Sequence, residues 1–367
     1  MVPSDMIHPM LEKYANLLVG YCARVEPGEL VALHLATPAL PMARALTRSV
    51  LRAGGRPVLH LTYPEWTEDH VELASDACLD AEPTLELEEV RRVDGWIRVA
   101  APTNSRAMQS ADKARVARLA RAQQPVQAER VRRTKWVGSL YPTDAAAQDA
   151  GMSTAEFERF VFDAMFLYDD DPVARWGDLR ALQARLVERL TSAREVHLRG
   201  PGTDLRLAVG GRTWVNSDGR HNMPSGEVFT GPHEASAEGV ITFDLPSSVG
   251  GVVVRGVRLR FEAGRVVEAS ASEGEDLLLA QLDSDAGARY LGELGIGTND
   301  RIGRPILNTL FDEKIGGTVH LALGSSYPQT GGTNVSAIHW DLITDLRPGG
   351  EVLLDGEPFQ RDGRFLL

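Results

Sequence analysis

The sequence predicts an α/β N-terminal domain, a mostly parallel sheet with covering helices, followed by an α+β C-terminal domain of mainly antiparallel strands. Three observations carry that expectation. The first half alternates short β-rich runs with Ala/Leu/Arg-rich stretches. Near residue 195 the texture changes, Gly and Pro become frequent, and short β-like runs follow one another. The 367 residues exceed what one core usually organises. The expected domains are 1–190 and 191–367.

The early β-rich runs are LVALHLA (30–36), RPVLHLTY (56–63), GWIRVAA (95–101) and KWVGSLYP (135–142). Helical segments such as 38–53 and 105–123 lie between them, which is the order of parallel strands with crossovers. Ser153-Thr154-Ala155-Glu156 is a capping box. Behind it Phe157, Phe160, Val161, Ala164, Met165 and Tyr168 recur at helical spacing, an apolar stripe read as core packing. Asp169-Asp170-Asp171 before Pro172 reads as a turn whose carboxylates open the next helix. That helix, 173–193, is long and amphipathic and bridges the halves. In the second half VHLRG, DLRLAV, GVITFDL and VVVRGVRLRFEAGRVVEASA read as strands, and 276–292 as a helix.

Composition excludes several functions. A formal net charge of -12 gives a surface that repels nucleic-acid phosphates and anionic lipid, so neither nucleic acid nor membrane is an expected partner. No stretch approaches the ~20 apolar residues of a membrane span. The first residues carry Glu12 and Lys13 and no cleavable apolar run, unlike a signal peptide. Cys22 and Cys78 have no ligand spacing and read as buried, reduced thiols, which points to a cytoplasmic protein. Phosphate-binding loop, nucleophile elbow and spaced G-x-G-x-x-G are all missing. His233-Glu234 fails the H-E-x-x-H pattern at Ala237. The alternating first half thus brings no nucleotide chemistry with it.

The most specific local signal is Ala337-Ile338-His339-Trp340-Asp341-Leu342-Ile343. In a strand, positions two apart share a face, so His339 and Asp341 can offer an imidazole nitrogen and a carboxylate oxygen to one ion. Equally, they can pair with each other on a solvated face. His320 sits in a second strand-like run, Thr318-Val319-His320-Leu321-Ala322-Leu323-Gly324, where a lone histidine is more often a core residue. Two such strands favour divalent transition metals, for which neutral imidazole is a preferred ligand. Glu227, in NMPSGEVFT, and Glu293, after Tyr290-Leu291-Gly292, complete a possible site; singly, each reads as a surface acid. Tyr327 is the first phenol after His320.

Together these segments resemble the thermophilic metalloaminopeptidase family, of the aminopeptidase T and aminopeptidase S type. The resemblance covers nearly the whole chain. It includes Tyr141-Pro142-Thr143, Ala150-Gly151-Met152-Ser153, Asp171-Pro172-Val173 with Trp176, NMPSGEVFT (222–230), YLGELGIGTN (290–299), LFDEK with HLALG (310–324) and IHWD (338–341). The resemblance implies metal ligands at Glu227, Glu293, His320, His339 and Asp341, with Tyr327 beside them. It also implies a homodimer that removes N-terminal residues from peptides with broad preference, using zinc, cobalt or related ions; the mixed N/O ligand set itself fits zinc, cobalt or manganese. Two divalent ions sharing a hydroxide would then supply the nucleophile. Glu293 is a candidate for bridging the ions or for general base, Asp341 is the other bridging candidate, and Tyr327 is the donor to the oxyanion. Two departures stand out: the loop between Tyr327 and His339 is short, and the usual DEN reads Asp312-Glu313-Lys314. Alternatives are another two-metal hydrolase of the phosphoesterase kind, with Arg220 as one phosphate contact, or an inactive metal-stabilised dimer scaffold. The intact ligand set argues against the scaffold.

Overall fold

The structure is a computed structural model that describes residues 8–367. Residues 1–7, the start of the segment read as lacking a signal peptide, lie outside the described residues. The chain divides into two compact units. The first reaches to Ala174 and takes in Gly219–Pro224; the second comprises Arg175–Asp218 and Ser225–Leu367.

The first unit is built on a five-stranded parallel sheet. Its strands are β1 (Leu30–Ala36), β2 (Arg56–Thr62), β3 (Gly95–Ala100) and β4 (Lys135–Leu140), in the order β2-β1-β3-β4, with the short strand Asn222–Met223 beside β4. Val31, Ala32 and Leu33 of β1 are all buried, because helices cover both faces of a parallel sheet. Helix Leu40–Arg52 buries Met42, Ala43, Leu46 and Val50 at helical spacing. The helix expected over 105–123 begins later, at Lys113, because Asp112 caps it by accepting from Ala114 N at 2.8 Å; it then runs through Pro125 to Arg133. Helix Thr154–Ala164 has the capping box read from Ser153 and Glu156. It stops short of Tyr168, since Phe166 takes φ 59° and turns the chain out of the helix. Tyr168 is therefore exposed, not part of the stripe. Cys22 is buried as expected, but Cys78 is exposed on the four-residue helix Asp76–Leu79; the two are not joined in a disulfide. Among the described residues, no helix is long and apolar enough to cross a membrane.

Asp171 accepts from Ala174 N at 3.0 Å and opens the long helix Pro172–Ser192. Trp176, Leu179, Gln183, Leu186 and Leu190 form its buried stripe. The second unit holds an eight-stranded antiparallel sheet, a two-stranded hairpin, and the five-stranded antiparallel sheet that carries the site. The last comprises β5 (Val215–Ser217), β6 (Glu227–Thr230), β7 (Leu291–Gly297), β8 (Thr318–Gly324) and β9 (His339–Asp345), in the order β9-β8-β7-β6-β5.

One expected element changes type. The segment 276–292 is helical only over Glu275–Leu282, and Glu293 lies inside β7 rather than at a helix end. Asp285 causes the break: it accepts from Gly287 N at 2.9 Å and Ala337 N at 2.6 Å, contacts that hold a turn a continuing helix would not allow. β7 is buried at every position, so it lacks the alternation that marks a half-exposed strand.

Candidate metal centre

Antiparallel pairing sorts the site sheet into two faces. Residues directly opposite each other share a face, and neighbours along a strand do not. His320 opposes Gly295 on one side and Ile343 on the other; Ala322 opposes Glu293 and Asp341; Gly324 opposes His339; Gly297 opposes Glu227. Glu227, Glu293, His320, His339 and Asp341 therefore all project from one face. Val228, Leu294, Ile296, Val319, Leu321, Leu323, Trp340 and Leu342 project from the other, into the large apolar core of the unit. The same alternation that buries the apolar residues gathers the acids and imidazoles.

Small residues leave the space they need. A Cβ at Gly295 would lie 2.0 Å from His320 Nε2 and 2.1 Å from its Cε1. The imidazole thus lies flat over a residue that only glycine can supply. Gln183 braces the next strand, donating from Nε2 to the carbonyl of Glu227 at 2.8 Å and to Thr298 Oγ1 at 3.0 Å.

The distances are short throughout. His320 Nε2 is 3.2 Å from Glu293 Oε1 and 3.4 Å from Glu227 Oε2. His339 Nε2 is 3.7 Å from Glu293 Oε2 and 3.8 Å from Asp341 Oδ2. His339 Nδ1 lies 2.8 Å from the carbonyl of Ser325. A carbonyl only accepts, so Nδ1 carries the proton and Nε2 turns to the acids. Ligand atoms of Glu227, Glu293 and His320 lie within 4.8 Å of one another, and so do those of Glu313, His320 and Asp341. Glu313 joins a group the sequence reading assembled without it. Lys314, fully buried, joins too: it pairs with Glu313, and its Nζ is 3.3 Å from Glu227 Oε1.

This concentration of charge shifts the acids. Burial and then the Glu227 carboxylate push Glu293 well above the usual carboxylate range. Burial pushes Asp341 up to about 7, with the charge of Glu313 adding to it. Burial raises Glu227 as well, against the pull of Lys314. For Glu313, Lys314 and His320 outweigh burial and hold it low. Among the described residues of the cluster, four carboxylates stand with one lysine, so with every acid ionised the negative charges outnumber the lysine.

Tyr327 stands on the open side. Its ring meets that of His339 edge-on at 5.0 Å and lies 5.8 Å from Phe229. Tyr327 is 46% exposed, yet the protein packed around its ring and the charges of Glu293 and Asp341 raise the phenol, keeping it a proton donor. The short loop after it is pinned. Glu234 accepts from Thr333 N at 2.7 Å and from its hydroxyl at 2.9 Å, and pairs with Arg212 at 2.8 Å.

A family model described as thermophilic metalloprotease (M29) matches residues 7–365. The chain belongs to the M29 metalloprotease family. Aminopeptidase T of Thermus thermophilus is 30% identical, aligned over 99% of this chain and 100% of its own length. Aminopeptidase AmpS of Bacillus subtilis is 28% identical over 88% of this chain and 86% of its own. The structure of wild-type AmpT from Thermus thermophilus superposes with a TM-score of 0.84 at 28% identity, covering 98% of this chain and 99% of that one. The parallel sheet of the first half and the antiparallel sheets of the second, with their buried His/Glu cluster, are thus the architecture of a metal-dependent peptide hydrolase.

The donor set of this M29 protein suits a divalent metal. Among the described residues, Glu227 Oε2, Glu293 Oε2 and Asp341 Oδ1 are buried acceptors without a hydrogen-bond partner. Orphaned buried acceptors are costly, and a cation among them removes that cost. Mixed carboxylate and imidazole ligation fits zinc, cobalt or manganese.

Proposed function

We propose that the protein is an aminopeptidase in which Glu227, Glu293, His320, His339 and Asp341 hold two divalent ions. The orphaned acceptors of Glu227, Glu293 and Asp341, gathered on one sheet face beside two imidazoles, carry this reading. When bound, such ions supply a water-derived nucleophile at neutral pH and polarise a carbonyl. The residues of the chain do the rest. Glu293 takes the proton of the attacking water on a carboxylate oxygen left free of the ions and returns it to the departing amine. The Tyr327 hydroxyl donates to the oxygen that becomes negative as the carbonyl is attacked. Ser325 fixes the ring of His339, so that its Nε2 keeps one direction. A free α-amino group that meets one carboxylate of the cluster restricts cleavage to the first residue of a peptide. The homodimer and the cytoplasmic setting belong to the same reading.

The test is turnover of aminoacyl-p-nitroanilides, their N-acetylated forms and p-nitrophenyl phosphate, with metal content counted before and after chelation. Turnover of the free-amine substrate alone is expected, lost on chelation and restored by zinc, cobalt or manganese. Undiminished turnover in metal-free protein, or preference for the phosphate ester, overturns the proposal.

A further inference from the structure

Lys314 is the unusual member of the cluster. It follows the short helix Thr309–Asp312, and its place is fixed by its own backbone: Lys314 N donates to the carbonyl of Phe311 at 3.0 Å, and Lys314 O accepts from Asn299 N at 3.0 Å. Asp312, two residues before it, accepts from Ile306 N at 2.8 Å and Asn308 N at 3.0 Å. The side chain then runs inward with no exposed surface, 3.3 Å from Glu227 Oε1 and paired with Glu313. Held this way, it cannot swing into solvent.

An ammonium group only donates; it has no lone pair for a metal. Lys314 engages Glu227, which belongs to one potential ligand group, and Glu313, which belongs to the other. An ion in either group therefore shares a carboxylate with a fixed positive charge. Buried like charges repel strongly because little solvent screens them. Without ions, the same ammonium is the cation that keeps the acids together, since unmatched buried carboxylates disfavour folding.

Resting on the metal-centre reading above, we propose that Lys314 is a built-in cation of the cluster. It weakens the hold of the centre on divalent ions, makes the second ion much looser than the first, and maintains the site when ions are absent.

The experiment compares chelated wild-type protein with Lys314→Met and Lys314→Gln, each titrated with zinc in competition with a chromophoric chelator. Thermal unfolding is followed with and without zinc. Wild-type protein is expected to stay folded after chelation and to take up two ions of clearly separated affinity. The neutral variants should bind zinc more tightly, on the order of 10–100-fold. Their melting temperature should drop in the metal-free state and recover with zinc; a variant that folds only with zinc supports the proposal equally. Unchanged or weaker zinc binding in a folded variant overturns it, as does an equal loss of melting temperature with and without zinc. Should neither variant fold, two ions of equal affinity in wild type overturn it. Wild type that binds no zinc removes the metal centre itself, and this inference with it.

Discussion

Each unit of the chain holds a group of histidine and glutamate, and the two groups differ in nearly everything except residue type. In the first unit His34 and His60 are register partners on β1 and β2, so their rings stack at 4.4 Å and within 7° of parallel. Trp96 covers the other face of His34 at 3.9 Å, and Glu89 pairs with His60. Ligand atoms of His34, His60 and Glu89 also lie within 4.8 Å of one another, but the in-plane lone pairs of two stacked rings run side by side. Burial, then His60, Arg98 and Arg130, press His34 down to about 3, so it stays neutral in cationic surroundings. In the second unit, antiparallel strands bring three acids and two imidazoles from four strands onto one face, with three carboxylate oxygens unpaired; in the first unit the one unpaired atom of the group is His34 Nε2. Ligand-type residues within reach of one another are common; what sets the second group apart is the number of acids that share a face with its imidazoles.

That contrast can be broken by substitution. Glu293→Gln should lower kcat by about 10²–10⁴-fold with little change in melting temperature, whereas Glu89→Gln should leave kcat alone. Tyr327→Phe should cost roughly 10²–10³-fold in kcat if its hydroxyl serves the oxyanion; an unaltered kcat would take that role away. His339→Ala should reduce metal affinity by at least about 10–100-fold, read by mass spectrometry of bound ions, while His60→Ala retains full metal content. The smallest effect sharpens the account of the first unit. Below pH 6.5 the unfolded chain protonates His34, whereas the folded one resists down to about 3. Stability therefore falls as pH falls through that window, by up to ~1.4 kcal/mol per pH unit. His34→Phe should flatten this slope in urea unfolding between pH 7 and pH 5; an unchanged slope would mean that His34 is charged in the folded protein.

The strands of the first unit were legible because each is a compact β-rich run between helical stretches. The His339 and Asp341 pair was legible for a related reason: period two survives over residues 339–342 of β9, where large apolar residues alternate with polar ones. β7 lost that signal, since glycines replace the alternating polar face around Glu293, and a helix was expected up to its edge. Glu313 and Lys314 were hidden differently. They sit past a four-residue helix, in a turn with no periodicity, and reach the cluster only through tertiary folding. The departure of Asp312-Glu313-Lys314 from the usual family pattern was the one hint. Cys78 was misjudged because thiol burial is a statistical habit, and its short capped helix lies at the surface.

Gly295 carries a consequence for variation in this protein. The hollow it leaves beneath His320 is narrower than a methyl group. An alanine there alters no ionisable group and removes no donor, yet it would evict the imidazole as surely as deleting it. Loss of activity can therefore arise at a position with no chemistry of its own, and a search for damaging changes confined to reactive side chains would pass over it.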